Sequence, residues 1–169
     1  MLSALAFERQ ARRHGAEFRY HETVNGILQQ NGRITGVTTP AGTYAAPVVV
    51  NAAGAWAREL AALADVDVPV QPDSHEAGIT EPVARFLGPM VVDIRPVEAS
   101  PEMPGSANYY FYQHHTGQII FCITPNPPIY GKDRRETSVF LPQVSRRMIE
   151  IMPILRNLKV RRTWRGLYP

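Results

Sequence analysis

The segment Val48–Trp56 constrains the fold of this chain more than any other part of the sequence. Three consecutive valines are followed by Asn51, two alanines and Gly54, and then by an alanine-rich stretch over 55–64. Runs of β-branched residues favour strands that are covered on both faces, as in parallel sheets. Small residues at a strand-to-helix turn allow close approach to the backbone. The pattern predicts a buried strand, a tight turn and a helix. The small residues at the turn either allow a ligand to approach the backbone or only allow the helix to pack against the sheet.

Composition limits the classes of function. The 169 residues are 44% hydrophobic and 20% charged, which is ordinary for a soluble globular protein. No stretch approaches the roughly 18 apolar residues of a membrane span, and the first residues do not form a signal peptide, so a cytoplasmic location is expected. The single cysteine, Cys122, has no cysteine partner and lies in an apolar run. We therefore expect a buried, unreactive thiol.

Charge is unevenly distributed along the chain. Residues 1–112 hold 8 basic and 12 acidic side chains, whereas residues 113–169 hold 10 basic and 3 acidic ones. A basic region of this kind could attract an anionic cofactor, a carboxylate substrate or nucleic acid. No aromatic-interleaved RNA-binding motif accompanies the arginines, so a nucleic-acid-binding domain is only a minor alternative.

The first third of the chain has the pattern of an α/β segment. A helix is predicted within residues 1–14, with Glu8 and Arg12 paired one turn apart and Gly15 ending it. A short strand is expected at 16–20. Turn signals at Asn25-Gly26 and Asn31-Gly32 then predict a small antiparallel meander. Its strands are expected at 27–30, 33–38 and 43–46.

From Val66 onward the chain is rich in proline, which breaks helices and suits edge strands and loops. This part is predicted to form an antiparallel sheet, with a central hairpin turning at Thr116-Gly117. The expected strands are 68–70, 91–94, 108–113, 118–124 and 158–164, and one helix is expected at 139–152.

Two motifs that often carry chemistry are missing. None of the 12 glycines stands in a Gly-x-Gly relation to another, so the chain has no pyrophosphate-binding loop of the dinucleotide type. His114 and His115 are adjacent, and in a strand they would point to opposite faces and could not chelate one ion together. No metal site is predicted.

Three motifs in this order carry a family resemblance: the segment 48–57, Thr80-Glu81-Pro82, and the closing Arg162–Pro169 with its Trp-x-Gly-Leu-x-Pro pattern. Together they resemble the FAD-dependent D-amino-acid oxidase superfamily, especially its glycine oxidase and sarcosine oxidase β-subunit branch. The resemblance covers nearly the whole chain. It implies a mixed α/β and α+β fold, with a partial FAD-binding domain over 1–65, an antiparallel substrate domain over 66–163, and a return to the FAD domain at 164–169.

Members of that family also carry an N-terminal Gly-x-Gly-x-x-Gly unit and a C-terminal flavin loop. Since this sequence contains neither, the resemblance predicts an internal fragment that does not hold FAD by itself and is inactive alone. The segments that would be missing leave strand edges and apolar surface exposed, which predicts a homo-oligomer.

The resemblance implies two sets of site residues. Those that match positions near the cofactor are Val24, Ala52, Ala53, Gly54, Trp164 and Gly166, for which ordinary packing is the alternative. Those that match the substrate side are Tyr110, Tyr112, His114 and Tyr168, for which the favoured alternative is a half-buried tyrosine ladder. Tyr168 stands where glycine-oxidase-like members often have an arginine for the substrate carboxylate. His75 and Glu76 are further polar candidates, unless they lie in a solvated loop.

The activity implied by the resemblance is oxidation of the C–N bond of a small amine or amino acid, such as glycine, sarcosine or a related imino acid. A hydride passes to the flavin, and the imine then hydrolyses. The main alternative from another class is a standalone α+β ligand-binding or interaction domain without catalytic activity.

Overall fold

The structure is a computed structural model that describes residues 2–169. It divides into two compact units. Unit 1 is the chain up to Ala52 together with Glu59–Val68, and unit 2 is Ala53–Arg58 together with Pro69–Pro169. Helix and antiparallel sheet occur together, so the predicted mixed fold class is confirmed. Within the described residues, no helix is both long and apolar enough to cross a membrane.

Unit 1 begins with helix α1 (Leu2–Arg13), which ends at Gly15 with a φ of +87°. Arg12 Nε donates to Glu8 Oε1 at 2.9 Å, so the predicted pair is formed. The meander is confirmed as an antiparallel sheet in the order β1-β2-β3. Its strands are β1 (Gly26–Gln30), β2 (Arg33–Thr39) and β3 (Gly42–Ala45).

Three predicted strands do not form. Residues 16–20, 48–50 and 68–70 lie outside every strand of the described chain. Val48 is 71% exposed and Val50 is 81% exposed, so the prediction of a strand buried on both faces was wrong for this structure. A strand requires a hydrogen-bonded neighbour as well as β-branched residues. No strand among residues 2–169 pairs with these segments, although their side chains favour extended backbone.

Unit 2 contains a five-stranded antiparallel sheet in the order β5-β6-β7-β4-β8. The strands are β4 (Asp73–Thr80), β5 (Val91–Asp93), β6 (Gly105–Gln113), β7 (Ile119–Asn126) and β8 (Val160–Tyr168). Strands β6 and β7 form the predicted central hairpin. Helix α3 (Phe140–Ile151) forms where a helix was predicted, and it covers one face of this sheet. A short 3-10 turn (Gly54–Trp56) packs against β8 and leads into helix α2 (Ala57–Ala62).

The core lies between α3 and one face of the sheet. The sheet contributes Tyr109, Phe111, Ile119, Phe121 and Ile123, and α3 contributes Phe140, Val144 and Met148. Because side chains alternate along a strand, the residues between these point to the other side of the sheet. We call that side the open face, and it carries Tyr110, Tyr112 and Cys122.

Strand β4 was not predicted. Its residues include His75 and Glu76, which the sequence suggested could lie in a solvated loop, yet β4 lies in the interior of the sheet between β7 and β8. Glu76 is 8% exposed on the core side, where its carboxylate accepts hydrogen bonds from Thr137 N and Thr137 Oγ1, both at 2.6 Å. A buried carboxylate is tolerated when it is hydrogen-bonded. That partner lies 61 residues further along the chain, so sequence pattern alone gave no sign of the strand.

Candidate active site

Four strands of unit 2 bring the candidate residues onto the open face. Tyr110 is opposite Cys122, Cys122 is opposite Ala77, and Ala77 is opposite Trp164. Residues that are opposite one another in adjacent strands share a face. Tyr110 and Trp164, which are 54 positions apart in sequence, therefore lie in one row across the sheet.

Two further rows, one and two steps along the strands, contain the polar groups. His75 is opposite Gly166, and Asp73 is opposite Tyr168. His75 Nε2 is 3.1 Å from Asp73 Oδ1, and the His75 ring lies 4.3 Å from the Tyr168 ring between centroids. The side chains of His75 and Asp73 are 12% and 23% exposed. The two side chains are therefore within ion-pair distance, although Asp73 Oδ1 has no hydrogen-bond partner among the described residues.

Tyr110 lies on the same face as His75, Asp73 and Tyr168. Its pKa is raised, first by burial and then by interaction with Cys122 and Tyr168. Burial also raises the pKa of the Cys122 thiol, which confirms the expected buried thiol. Both groups stay protonated at neutral pH, so Tyr110 is available as a hydrogen-bond donor and not as a base.

The other two substrate candidates lie further from this cluster. Tyr112 shares the open face with Tyr110, as its alternation predicted, and its row continues through Ile120 and Ile79 to Arg162. His114 lies in the turn after β6. Its Nδ1 is 2.6 Å from Thr116 Oγ1, and its ring lies 4.0 Å from that of His115. Tyr110 and Tyr168 therefore share the open face, whereas His114 lies in the hairpin turn.

Two glycines make room for a flat group in unit 2. At Gly166 no atom lies within 4 Å of the position that a Cβ would occupy, and the same is true at Gly54, whose φ is +54°. Gly166 lies between Trp164 and Tyr168 on the open face, and the turn that contains Gly54 packs against the same strand. A planar ring can approach backbone closely where side chains are absent. The backbone at Gly166 and Gly54 is therefore open to close approach by another group.

The remaining cofactor candidates have less distinctive surroundings. Ala53 directly precedes the 3-10 turn, and its carbonyl accepts a hydrogen bond from Trp56 N at 3.0 Å. In unit 1, Val24 precedes β1 and is partly buried, whereas Ala52 is exposed and outside any strand. Nothing in the structure tests a contact of these residues with FAD, and their role stays a prediction.

Sequence reasoning named His75 but missed Asp73, its partner on β4. Glu76, named together with His75, points to the opposite side of the sheet and holds Thr137 there. His75 and Glu76 point to opposite faces because side chains alternate along β4, and the sequence did not predict this strand. Among the described residues no group of three or more His, Cys, Asp or Glu side chains is arranged to hold a metal ion.

Comparison with known proteins identifies the family of the chain. Residues 2–169 match the family described as "DAO: FAD dependent oxidoreductase". The hydrogen cyanide synthase subunit HcnC of Pseudomonas aeruginosa is 30% identical over 97% of this chain and 36% of its own length. The glycine oxidase of Pseudomonas putida is 28% identical over 89% of this chain and 37% of its own.

A solved structure is also similar. The crystal structure of L-proline dehydrogenase from P. horikoshii matches with a TM-score of 0.84 and 33% identity, over 98% of this chain and 42% of that protein. The chain thus spans about two fifths of the length of the proteins it resembles. Since the match to the family extends over every residue that the structure describes, the chain belongs to the family of FAD-dependent oxidoreductases.

Proposed function

We propose that the protein that contains this chain oxidises the C–N bond of a small amine or amino acid with FAD as its cofactor. The observation that carries the proposal is the cluster of His75, Asp73, Tyr110 and Tyr168 on the open face, beside the space at Gly166. The proteins named above that resemble it include a glycine oxidase and an L-proline dehydrogenase, which supports an amino or imino acid as substrate.

FAD, when bound, supplies the hydride acceptor. The chain's own contribution on the open face is to leave room for a flat ring at Gly166, with Trp164 and Tyr168 on either side along β8. We propose that these residues face the flavin ring. The chain has no Gly-x-Gly-x-x-Gly loop of its own, so we further propose that it does not turn over substrate when it is isolated from the rest of a flavin-binding domain.

His75 is the group best placed to handle a proton. An amine must be neutral before it can lose a hydride from the neighbouring carbon, because the nitrogen lone pair drives that step. His75 Nε2 faces the Asp73 carboxylate, 3.1 Å from Oδ1, and Nδ1 is the other ring nitrogen that could accept a proton. We propose that Nδ1 takes the ammonium proton of the substrate.

Tyr110 and Tyr168 would orient the substrate by hydrogen bonding. The raised pKa of Tyr110 keeps its phenol protonated, so it can donate to a carboxylate oxygen. Tyr168 occupies the position at which glycine-oxidase-like members often carry an arginine, and a neutral phenol there binds a carboxylate less strongly than a guanidinium does. We therefore propose a small amino or imino acid that is held by several neutral donors.

The test uses the protein purified from the cells that make it, so that every segment joined to this chain is present. Anaerobic addition of glycine, sarcosine or L-proline should bleach the visible flavin absorbance with at least one of them. His75→Asn should slow the reduction by about 10²-fold or more. His14→Asn, at an exposed position in unit 1, is the matched control and should leave the reduction unchanged.

Two results would contradict the proposal. A protein that carries no flavin would instead favour the standalone ligand-binding or interaction domain. A flavin that none of these amines reduces would exclude the proposed substrate class.

A further inference from the structure

The end of unit 2 that contains the start of β8 is densely basic. We define the cationic edge as Arg156, Lys159, Arg161 and Arg162, all of which are exposed. Residues 151–169 contain no acidic side chain. These four charges therefore have no acidic neighbour in their own part of the sequence.

Neighbouring elements neutralise the cationic edge only in part. Glu81 is near, since its backbone N–H donates to Lys159 O at 2.8 Å. Glu136 lies further along the strand, where Thr163 Oγ1 donates to it. Among residues 2–169, no hydrogen bond or ion pair engages the side chains of the four cations. Glu150 is a third acid, on α3, which contacts the turn that carries Arg156. Four basic side chains against three acidic ones leave the surface positive.

The strand behind these charges is an edge of the sheet. β8 is nine residues long, and β4 is its only strand neighbour in the part of the chain that the structure describes. On one side of β8 the backbone N–H and C=O groups therefore face away from β4, and such a row is a template for another strand. A second copy of this chain is a poor partner, because it would bring four more cations to the same edge.

We propose that the cationic edge binds an acidic, extended segment of another polypeptide, which adds to the sheet beside β8. Backbone pairing would supply the docking geometry, and the four cations would select acidic side chains and exclude basic ones. A protein segment fits better than nucleic acid. No aromatic side chain lies between 156 and 163 to stack on bases, whereas the free strand edge matches a peptide backbone.

The test uses the 169-residue chain and a fluorescent peptide about as long as β8, with alternating Glu and Val. Anisotropy should show binding that weakens as salt is raised. The same peptide with Gln in place of Glu should bind much more weakly. A Glu-Val peptide that is N-methylated at every second residue keeps its charge but cannot pair along one edge, and it should also lose binding.

Variants of the chain locate the surface. Arg161→Gln combined with Arg162→Gln should weaken binding about fivefold to tenfold, as expected for the loss of two exposed ion pairs. Arg134→Gln combined with Arg146→Gln removes the same charge from exposed positions outside the cationic edge and should leave the affinity unchanged. Thermal unfolding of both double variants should match the parent, which shows that the fold is retained.

Three outcomes would overturn the proposal: no binding of the Glu-Val peptide, equal binding of its N-methylated form, or equally tight binding of single-stranded DNA of the same charge. The second would show attraction without strand addition, and the third a general polyanion surface. The proposal does not depend on the flavin chemistry, since the binding experiment contains neither FAD nor an amine.

Discussion

Replacing Arg147 with methionine is expected to lower the free energy of unfolding by about 3 kcal/mol. Arg147 is 6% exposed on α3, and its Nε lies 3.2 Å from Asp93 Oδ2 on the edge strand β5. The same guanidinium donates to Ser106 Oγ and to the carbonyl of Arg95. One side chain therefore ties α3 to β5, to β6 and to the loop after β5.

The magnitude follows from what the substitution leaves behind. Breaking a buried ion pair from one side costs about 3 to 5 kcal/mol, because the other charge stays buried without its partner. Asp93 keeps part of its compensation, since Arg95 donates to both of its oxygens at 2.8 and 2.9 Å. The lower end of the range is therefore expected. Methionine fills much of the space of the arginine stem, which limits any cavity contribution.

Chemical denaturation of the 169-residue chain measures this difference directly. Arg146→Met is the matched control, because Arg146 lies on the same helix and its side chain is exposed. The control should change the free energy of unfolding by no more than about 0.5 kcal/mol. A loss below about 1 kcal/mol for Arg147→Met would refute the reasoning, since the buried cluster would then contribute no more than an exposed pair.

The stability that the Arg147–Asp93 pair contributes is expected to fall as the pH is lowered. Hydrogen bonds from Arg95, and then those from Arg147, hold the pKa of Asp93 well below its usual value. A carboxyl whose pKa is lower in the folded state contributes stability above its unfolded pKa of about 4, and this contribution is lost as the pH falls below that value. Acidification from neutral pH should therefore destabilise the parent more than Arg147→Met. Equal losses would show that Arg147 does not affect Asp93.

Two further substitutions in unit 2 test its packing. Tyr109 is fully buried, and its hydroxyl has no hydrogen-bond partner among the described residues, so Tyr109→Phe should raise the free energy of unfolding by about 1 kcal/mol. Tyr44→Phe is its control and should not stabilise, because the Tyr44 hydroxyl donates to Glu22 at 2.7 Å. A Cβ at Gly78 would lie 2.4 Å from the Phe121 ring, so Gly78→Ala should cost about 1 to 3 kcal/mol by denaturation. Gly88→Ala, which has open space at its Cβ, should be close to neutral, and equal effects at the two glycines would contradict the predicted clash.

Elements whose stability is local were predicted well from sequence. The β1–β2 hairpin follows from the Asn31-Gly32 turn, where both residues adopt positive φ. The turn expected at Asn25-Gly26 does not form, since Gly26 is the first residue of β1. The β6–β7 hairpin follows from strict alternation, which put Phe111 in the core and Tyr110 on the open face. In both cases the paired strands are separated by only a few residues. A short window of sequence is therefore enough to predict the pairing.

Elements that depend on distant partners were not predicted. The valines at 48–50 have high strand propensity, yet they form no strand, because a strand also needs a hydrogen-bonded neighbour. β4 shows the converse. Its polar residues suggested a loop, but β7 and β8 pair with it on both sides, and β8 lies more than 80 residues away in sequence.

The candidate site depends on the same long-range pairing. The sequence placed Tyr110 and Tyr112 on one face because alternation within a strand is a local property, but it could not place His75 and Asp73 beside Tyr168. That contact requires β4 to pair with β8 so that Asp73 meets Tyr168 and His75 meets Gly166. A shift by one residue would exchange His75 for Glu76 on the open face, since side chains alternate with a period of two. Glu76 prevents such a shift, because its carboxylate is bonded to Thr137 on the core side. The buried carboxylate thus sets the register that presents the imidazole on the open face.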